Sequence, residues 1–126
     1  MSRSRAVSLW LPVVLWAGVI FALSSIPSLA TGLGTWDFFL RKTAHLAEYA
    51  ILGGLLARAT GRAFSATLLG VVYACTDEIH QSFVTGRAGR PVDVAIDAAG
   101  VLIGVLVVQE LRGRRRVLAA QHSPRT

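Results

Sequence analysis

The chain has 126 residues, 53% of them hydrophobic and 16% charged, with a formal net charge of +6 and a mean hydropathy of +0.55. This balance describes a chain whose favoured solvent is lipid. At about 20 residues per crossing, its length accommodates one domain of about four spanning helices over residues 1–126 and no separate soluble domain. The single cysteine, Cys75, has no second thiol in the chain, which excludes an intrachain disulfide.

The first apolar segment runs from Ala6 to about Ile26 behind two arginines. It is longer than the ~7 to 15 residues of a signal-peptide core, and further apolar segments follow, so we interpret it as a retained helix. Cleavage after the Ser-Leu-Ala sequence at residues 28–30 is the alternative. Pro27 and the glycine-rich stretch that ends at Thr35 predict a loop.

Three further spans are predicted at residues 40–58, 63–83 and 92–111. The span at 40–58 is the least apolar, because charged and histidine side chains occupy its first part. The segment from Arg112 is basic and polar, and we predict that residues 112–126 are disordered. The predicted fold class is therefore an all-α, four-transmembrane-helix bundle.

Five of the seven acidic residues lie inside these apolar spans or at their edges. They are Glu48, Asp77, Glu78, Asp93 and Asp97. A charge at the centre of a membrane helix costs roughly 2.5 to 3.5 kcal/mol on insertion scales, so each such residue needs a partner or a function.

The basic residues predict the orientation of the bundle. Nine of the thirteen fall on one side of the predicted spans, namely Arg3, Arg5, Arg58, Arg62, Arg112, Arg114, Arg115, Arg116 and Arg125. This side is predicted to be cytoplasmic, with both termini inside. The other four, Arg41, Lys42, Arg87 and Arg90, then face outward beside the acidic residues.

With this topology, the polar residues of the second, third and fourth helices meet at one outer level. They are Lys42, His45, Glu48 and Tyr49, then Asp77, Glu78, His80 and Gln81, and finally Asp93 and Asp97. Spacings of three and four residues place most of each set on one helix face. The stripe of the fourth helix continues through Gly100 and Gly104, a GxxxG spacing that favours close helix approach.

These residues also carry a family resemblance: Lys42, His45 and Tyr49 on one helix, the string DEIHQSF from Asp77 to Phe83, then Arg87, Arg90, Asp93, Asp97 and Gly100. Over residues 36–105 the chain resembles the VanZ-like family. The resemblance implies a small multi-pass protein of the bacterial cytoplasmic (inner) membrane. The family takes its name from a member associated with resistance to the glycopeptide teicoplanin. The family name does not assign an activity, and we do not infer from it that this chain affects antibiotic susceptibility.

Several functions fit the outer polar residues. They could simply pair and lock the helices together. The interpretation we favour is a cup for an amphiphile's head group, in which Arg87 and Arg90 bind phosphate while Asp93 and Asp97 orient them. Its expected partners are membrane lipids and one further ligand. The candidates for that ligand are a lipid-linked cell-wall precursor, an isoprenoid phosphate and a lipid-tailed glycopeptide antibiotic.

An enzyme acting on a lipid phosphate is the alternative, as a hydrolase or a transferase. Its candidate catalytic residues are His45, Glu48, Asp77, Glu78 and His80, which offer acid and base groups or metal ligands. No known zinc signature matches, and arginines nearby would oppose a cation, so we predict neither a metal nor a cofactor. A proton-linked transporter is a further alternative. Nucleic acid is not an expected partner, because a basic run after a membrane helix typically meets anionic lipid.

Overall fold

A computed structural model of the protein describes residues 2–25, 35–84 and 91–124. These residues form four helices, α1 (Arg3–Ser24), α2 (Thr35–Thr60), α3 (Ala63–Ser82) and α4 (Pro91–His122). No strand occurs in these three stretches. The all-α prediction is confirmed.

Local interactions explain where the helices begin and end. The Oγ of Ser2 accepts a hydrogen bond of 3.3 Å from the backbone N–H of Arg5, so Ser2 caps α1. Gly61 follows the last residue of α2 with a φ of +69°, and its N–H donates to the carbonyl of Ala57 at 2.9 Å. Glycine adopts this left-handed conformation without steric cost, which allows α3 to begin only two residues later.

The carboxyl-terminal part of α4 differs from the prediction. The segment predicted to be disordered from Arg112 continues the helix as far as His122. Arg114 donates to the Glu110 carboxylate four residues earlier at 3.2 Å, and Arg112 donates to the backbone carbonyl of Arg58 on α2 at 3.2 Å. These contacts, together with the good helix propensity of its arginines, leucine and alanines, support the extension.

Helices α2 and α4 pack against each other more extensively than any other pair among the described residues. A Cβ on Gly100 would lie 2.6 Å from the carbonyl oxygen of Leu46, and a Cβ on Gly104 would overlap the carbonyl oxygen of Ala50. The two backbones can therefore meet only because these positions lack a side chain. This confirms the close approach that the GxxxG spacing predicts.

Among the described residues, α1 and α4 are the two helices that are long and apolar enough to cross a membrane. Large apolar side chains of α1 face outward, with Val14 64% and Leu15 61% exposed. Such exposure suits contact with lipid and indicates membrane association. Helices α2 and α3 are less apolar because charged and polar side chains occupy one end of each. That these two helices also cross the membrane stays a prediction.

Candidate functional site

The centre of the site is the carboxylate of Asp77 on α3. Its Oδ2 accepts a hydrogen bond of 2.8 Å from the hydroxyl of Tyr49 on α2 and one of 3.3 Å from the Nε2 of Gln81. The Nε2 of Gln81 also donates to the Oγ of Ser24 at the end of α1, at 3.3 Å. The carboxylate of Asp77 thus joins α2 to α3, and the carboxamide of Gln81 extends the connection to α1.

A histidine and a second aspartate join α2 to α4 beside this centre. The Nδ1 of His45 lies 3.1 Å from the Oδ1 of Asp97. The imidazole of His45 is nearly parallel to the Tyr49 ring, with ring centroids 6.4 Å apart. One ligand atom each of His45, Asp77 and Asp97 lies within 4.8 Å of the other two. We call His45, Tyr49, Asp77, Gln81 and Asp97 the polar cluster.

The floor of the polar cluster is closed rather than open. Tyr49 and Asp97 have no exposed surface, and Asp77 is 2% exposed. Asp77 Oδ1 and Asp97 Oδ2 are buried and have no hydrogen-bond partner among the described residues. The sequence predicts a cup lined by these carboxylates, whereas the helices close over them and leave two acceptor atoms that a bound group could use.

An ion pair between Lys42 and Asp93 lies nearer the ends of α2 and α4. The two side chains are 25% and 13% exposed, so the pair forms the rim of the cluster. Asp93 and Asp97 are predicted to orient two arginines, but their described partners are Lys42 and His45 on α2. The helix spacing explains the difference, because Lys42 and His45 are three residues apart and face the stripe of α4 that carries both aspartates. Arg87 and Arg90 lie outside the described residues.

His80 has a different environment from the one its spacing predicts. It does not turn towards Asp77 but contacts α1, where its Nε2 lies 2.9 Å from the Oγ of Ser25. Its ring stacks on Phe21 with a centroid separation of 4.1 Å. Side chains three residues apart on a helix point in directions about 60° apart around its axis. The side chain of His80 is therefore rotated away from that of Asp77, on the side of α3 where α1 packs. His80 therefore contacts α1, whereas Asp77 contacts Tyr49 and Gln81.

The remaining acidic candidates, Glu48 and Glu78, are next to Tyr49 and Asp77 in the sequence. Glu78 is buried, at 7% exposure. Glu48 is partly buried, and its backbone carbonyl accepts a hydrogen bond of 2.8 Å from the Nε1 of Trp16 on α1.

Helix α1 supplies contacts that the sequence pattern does not predict. Ser24 and Ser25 bind the side chains of Gln81 and His80. Trp16 and Phe21 contact α2 and α3. The signal in the sequence was the pair of serines at the end of the first apolar segment, at the same predicted level as the DEIHQ string.

The polar cluster can hold a positively charged group or exchange a proton. The Tyr49 hydroxyl and the Gln81 carboxamide are neutral donors to Asp77 and do not balance its charge. The His45 and Asp97 pair has the composition of an acid and base pair. His45, Asp77 and Asp97 together have the composition of a metal-binding set.

Residues 3–112 match the model of the VanZ/LLP1 family. No curated protein matches the chain, and no solved structure matches it. The matched range includes every member of the polar cluster and the ion pair of Lys42 and Asp93. The chain belongs to the VanZ/LLP1 family.

Proposed function

We propose that this protein crosses the bacterial cytoplasmic membrane four times, with both termini inside, and binds the head group of an anionic amphiphile at its outer side. The observation that carries the proposal is the polar cluster with its ion-pair rim. Polar and charged groups from α2, α3 and α4 meet at one end of the bundle, where a lipid head group would lie.

The rim of the cluster lies at a depth that suits a head group. At 1.5 Å per residue, Asp93 lies about 3 Å below the start of α4, and Asp97 lies about 9 Å below it. Asp77 is about 7 to 8 Å from the end of α3 by the same measure. The rim is thus within one helical turn of the start of α4 and is partly exposed, whereas the floor is closed, so a head group would contact the rim.

Arg87 and Arg90 are the proposed phosphate-binding residues. In the sequence they lie between α3 and α4, and Arg90 directly precedes the first residue of α4. Arginine binds phosphate through two parallel N–H donors, and its charge persists at every physiological pH. Because Lys42 is already paired with Asp93, these two arginines are the natural candidates for an added anion.

The ligands that fit this chemistry share a phosphate or another anionic polar head on a lipid tail. A lipid-linked cell-envelope precursor, an isoprenoid phosphate and an amphiphilic glycopeptide antibiotic are the three candidates. Binding of the last would connect the site to antibiotic susceptibility.

Native mass spectrometry in detergent can test the proposal with an isoprenoid phosphate and the matching isoprenoid alcohol. We expect the phosphate to bind in preference to the alcohol. The Arg87→Gln, Arg90→Gln double variant should lose the preference, because the forked donors are gone. The matched control is Arg62→Gln with Arg115→Gln, which removes two charges at the opposite end. Equal binding of phosphate and alcohol by the unmodified protein would contradict the proposal.

A second candidate function is catalysis on the same lipid phosphate. The observation that favours it is the distance of 3.1 Å between His45 Nδ1 and Asp97 Oδ1, which suits a histidine held by a carboxylate for proton transfer. Release of inorganic phosphate from the isoprenoid phosphate, or exchange of its head group, would identify this activity. Asp97→Asn should then slow turnover without weakening binding of the phosphate.

A further inference from the structure

We propose that His45, Asp77 and Asp97 form a binding site for a divalent transition-metal ion that joins α2, α3 and α4. The inference goes beyond the proposed head-group function and does not depend on it. All three ligands belong to described helices, and the test uses the ion alone.

The ligand atoms are close to the separations that an ion requires. One nitrogen or oxygen of each side chain lies within 4.8 Å of the corresponding atoms of the other two. Metal bonds to imidazole nitrogen and carboxylate oxygen are about 2.0 to 2.2 Å long, so two ligands of a tetrahedral ion lie about 3.3 to 3.6 Å apart. The Nδ1 of His45 and the Oδ1 of Asp97 are 3.1 Å apart, and side-chain adjustments of up to about 1.5 Å bring all three ligand atoms into this range.

Two buried acceptor atoms support the presence of a cation at the site. Asp77 Oδ1 and Asp97 Oδ2 have no hydrogen-bond partner among the described residues, and the two aspartates are 2% and 0% exposed. Burial of a carboxylate is costly unless a positive charge or a proton compensates it. A metal ion bound between the two aspartates supplies that charge at the place where it is missing.

The groups around the ligands are arranged as in metal sites. The Tyr49 hydroxyl and the Gln81 carboxamide both donate to Oδ2 of Asp77. They leave Oδ1 of Asp77 for the ion. Hydrogen bonds of this kind orient ligating carboxylates in known metal sites and raise the affinity of those sites.

The ligand set selects a class of ion. One imidazole nitrogen favours Zn²⁺ or Fe²⁺ over Mg²⁺ and Ca²⁺, which prefer oxygen ligands throughout, and the two carboxylates also suit Mn²⁺. Because two of its ligands are carboxylates, the site binds thiophilic ions such as Cu⁺ poorly. Three protein ligands leave at least one coordination position for water or for a ligand oxygen.

Equilibrium dialysis followed by elemental analysis tests the site. The protein is purified in detergent without a histidine tag, in a His122→Ala background that removes an exposed histidine near the end of α4, and is first treated with a chelator. We expect one Zn²⁺ or Mn²⁺ per chain and much weaker binding of Mg²⁺ and Ca²⁺. His45→Ala, Asp77→Asn and Asp97→Asn should each abolish stoichiometric binding. Tyr49→Phe should weaken it by about 10- to 100-fold.

Two matched variants serve as controls. Asp93→Asn removes an aspartate one turn away on α4, and His80→Ala removes a histidine that contacts α1 instead of the cluster. Both should bind the ion as the parent protein does. If a ligand variant fails to fold, pulsed electron paramagnetic resonance of the Mn²⁺-loaded parent protein replaces it, and coupling to one imidazole nitrogen is expected. No stoichiometric ion in the parent protein, no nitrogen coupling, or unchanged binding by folded ligand variants would overturn the proposal.

Discussion

The hydroxyl of Tyr49 donates a hydrogen bond of 2.8 Å to Oδ2 of Asp77, and both side chains are almost fully buried. The bond joins α2 to α3 at a carboxylate whose other described donor is Gln81 on its own helix. The contact therefore has two roles, since it links two helices and compensates part of the cost of a buried charge.

Replacement of Tyr49 by phenylalanine should destabilise the protein. The change keeps the ring and removes one donor to a buried carboxylate, which typically costs about 1.5 to 3 kcal/mol. The unfolding midpoint in detergent, followed by circular dichroism, measures the effect. Tyr73→Phe is the matched control, because the Tyr73 hydroxyl donates to a neutral acceptor, the backbone carbonyl of Ala17. A larger loss for Tyr73→Phe than for Tyr49→Phe would contradict this account.

A methyl group at Gly104 should separate α2 from α4. The added Cβ would overlap the Ala50 carbonyl oxygen and lie 2.8 Å from the backbone nitrogen of Gly54. Backbone atoms cannot move aside as a flexible side chain does, so we expect Gly104→Ala to cost about 1 to 3 kcal/mol. Thermal unfolding in detergent measures this change.

Gly113→Ala is the control for that substitution. Apart from its chain neighbours and its own helix backbone, no atom of the described residues lies within 4 Å of a Cβ at Gly113, which occupies the exposed extension of α4. Here the higher helix propensity of alanine should leave stability unchanged or raise it by about 0.5 to 1 kcal/mol. Equal effects of the two substitutions would show that close packing of α2 and α4 does not limit stability.

The ion pair of Lys42 and Asp93 should show a larger coupling energy than a surface pair. Its side chains are 25% and 13% exposed, so water screens it less than it screens an exposed pair. A double-mutant cycle with Lys42→Gln and Asp93→Asn should give a coupling above about 1 kcal/mol. The comparison is Arg114 with Glu110, whose side chains are 72% and 68% exposed, and for which about 0.3 to 0.5 kcal/mol is expected.

The proposed orientation predicts which side of the membrane each end of the bundle faces. In a Cys75→Ser background, Ser82→Cys at the end of α3 should react with an impermeant maleimide added to intact spheroplasts. Gln121→Cys near the end of α4 should react only after the membrane is opened. The physical reason is the large excess of arginines at the second end, which holds that end in the cytoplasm. The reverse pattern of labelling would invert the proposed topology and place the polar cluster inside.

Much of the architecture follows from the sequence because it depends on local properties. Apolar segment length predicts four helices, and Gly61 and Ser2 are residues typical of a helix end and a helix start. The spacing of Gly100 and Gly104 predicts a close helix contact. The sequence did not predict the helical extension beyond Arg112, because arginine-rich composition indicates solvent exposure but does not decide between helix and disorder.

The spacing of the polar residues predicts the helix level at which each lies, and so which charged side chains are found at one end of the bundle. Their partners depend on how the helices pack: Asp97 with His45, Asp93 with Lys42, Asp77 with Tyr49, and His80 with Ser25. The reason is geometric. Spacing along a chain fixes the angle of a side chain about its own helix axis, whereas the rotation of one helix against its neighbours depends on packing between residues far apart in the sequence.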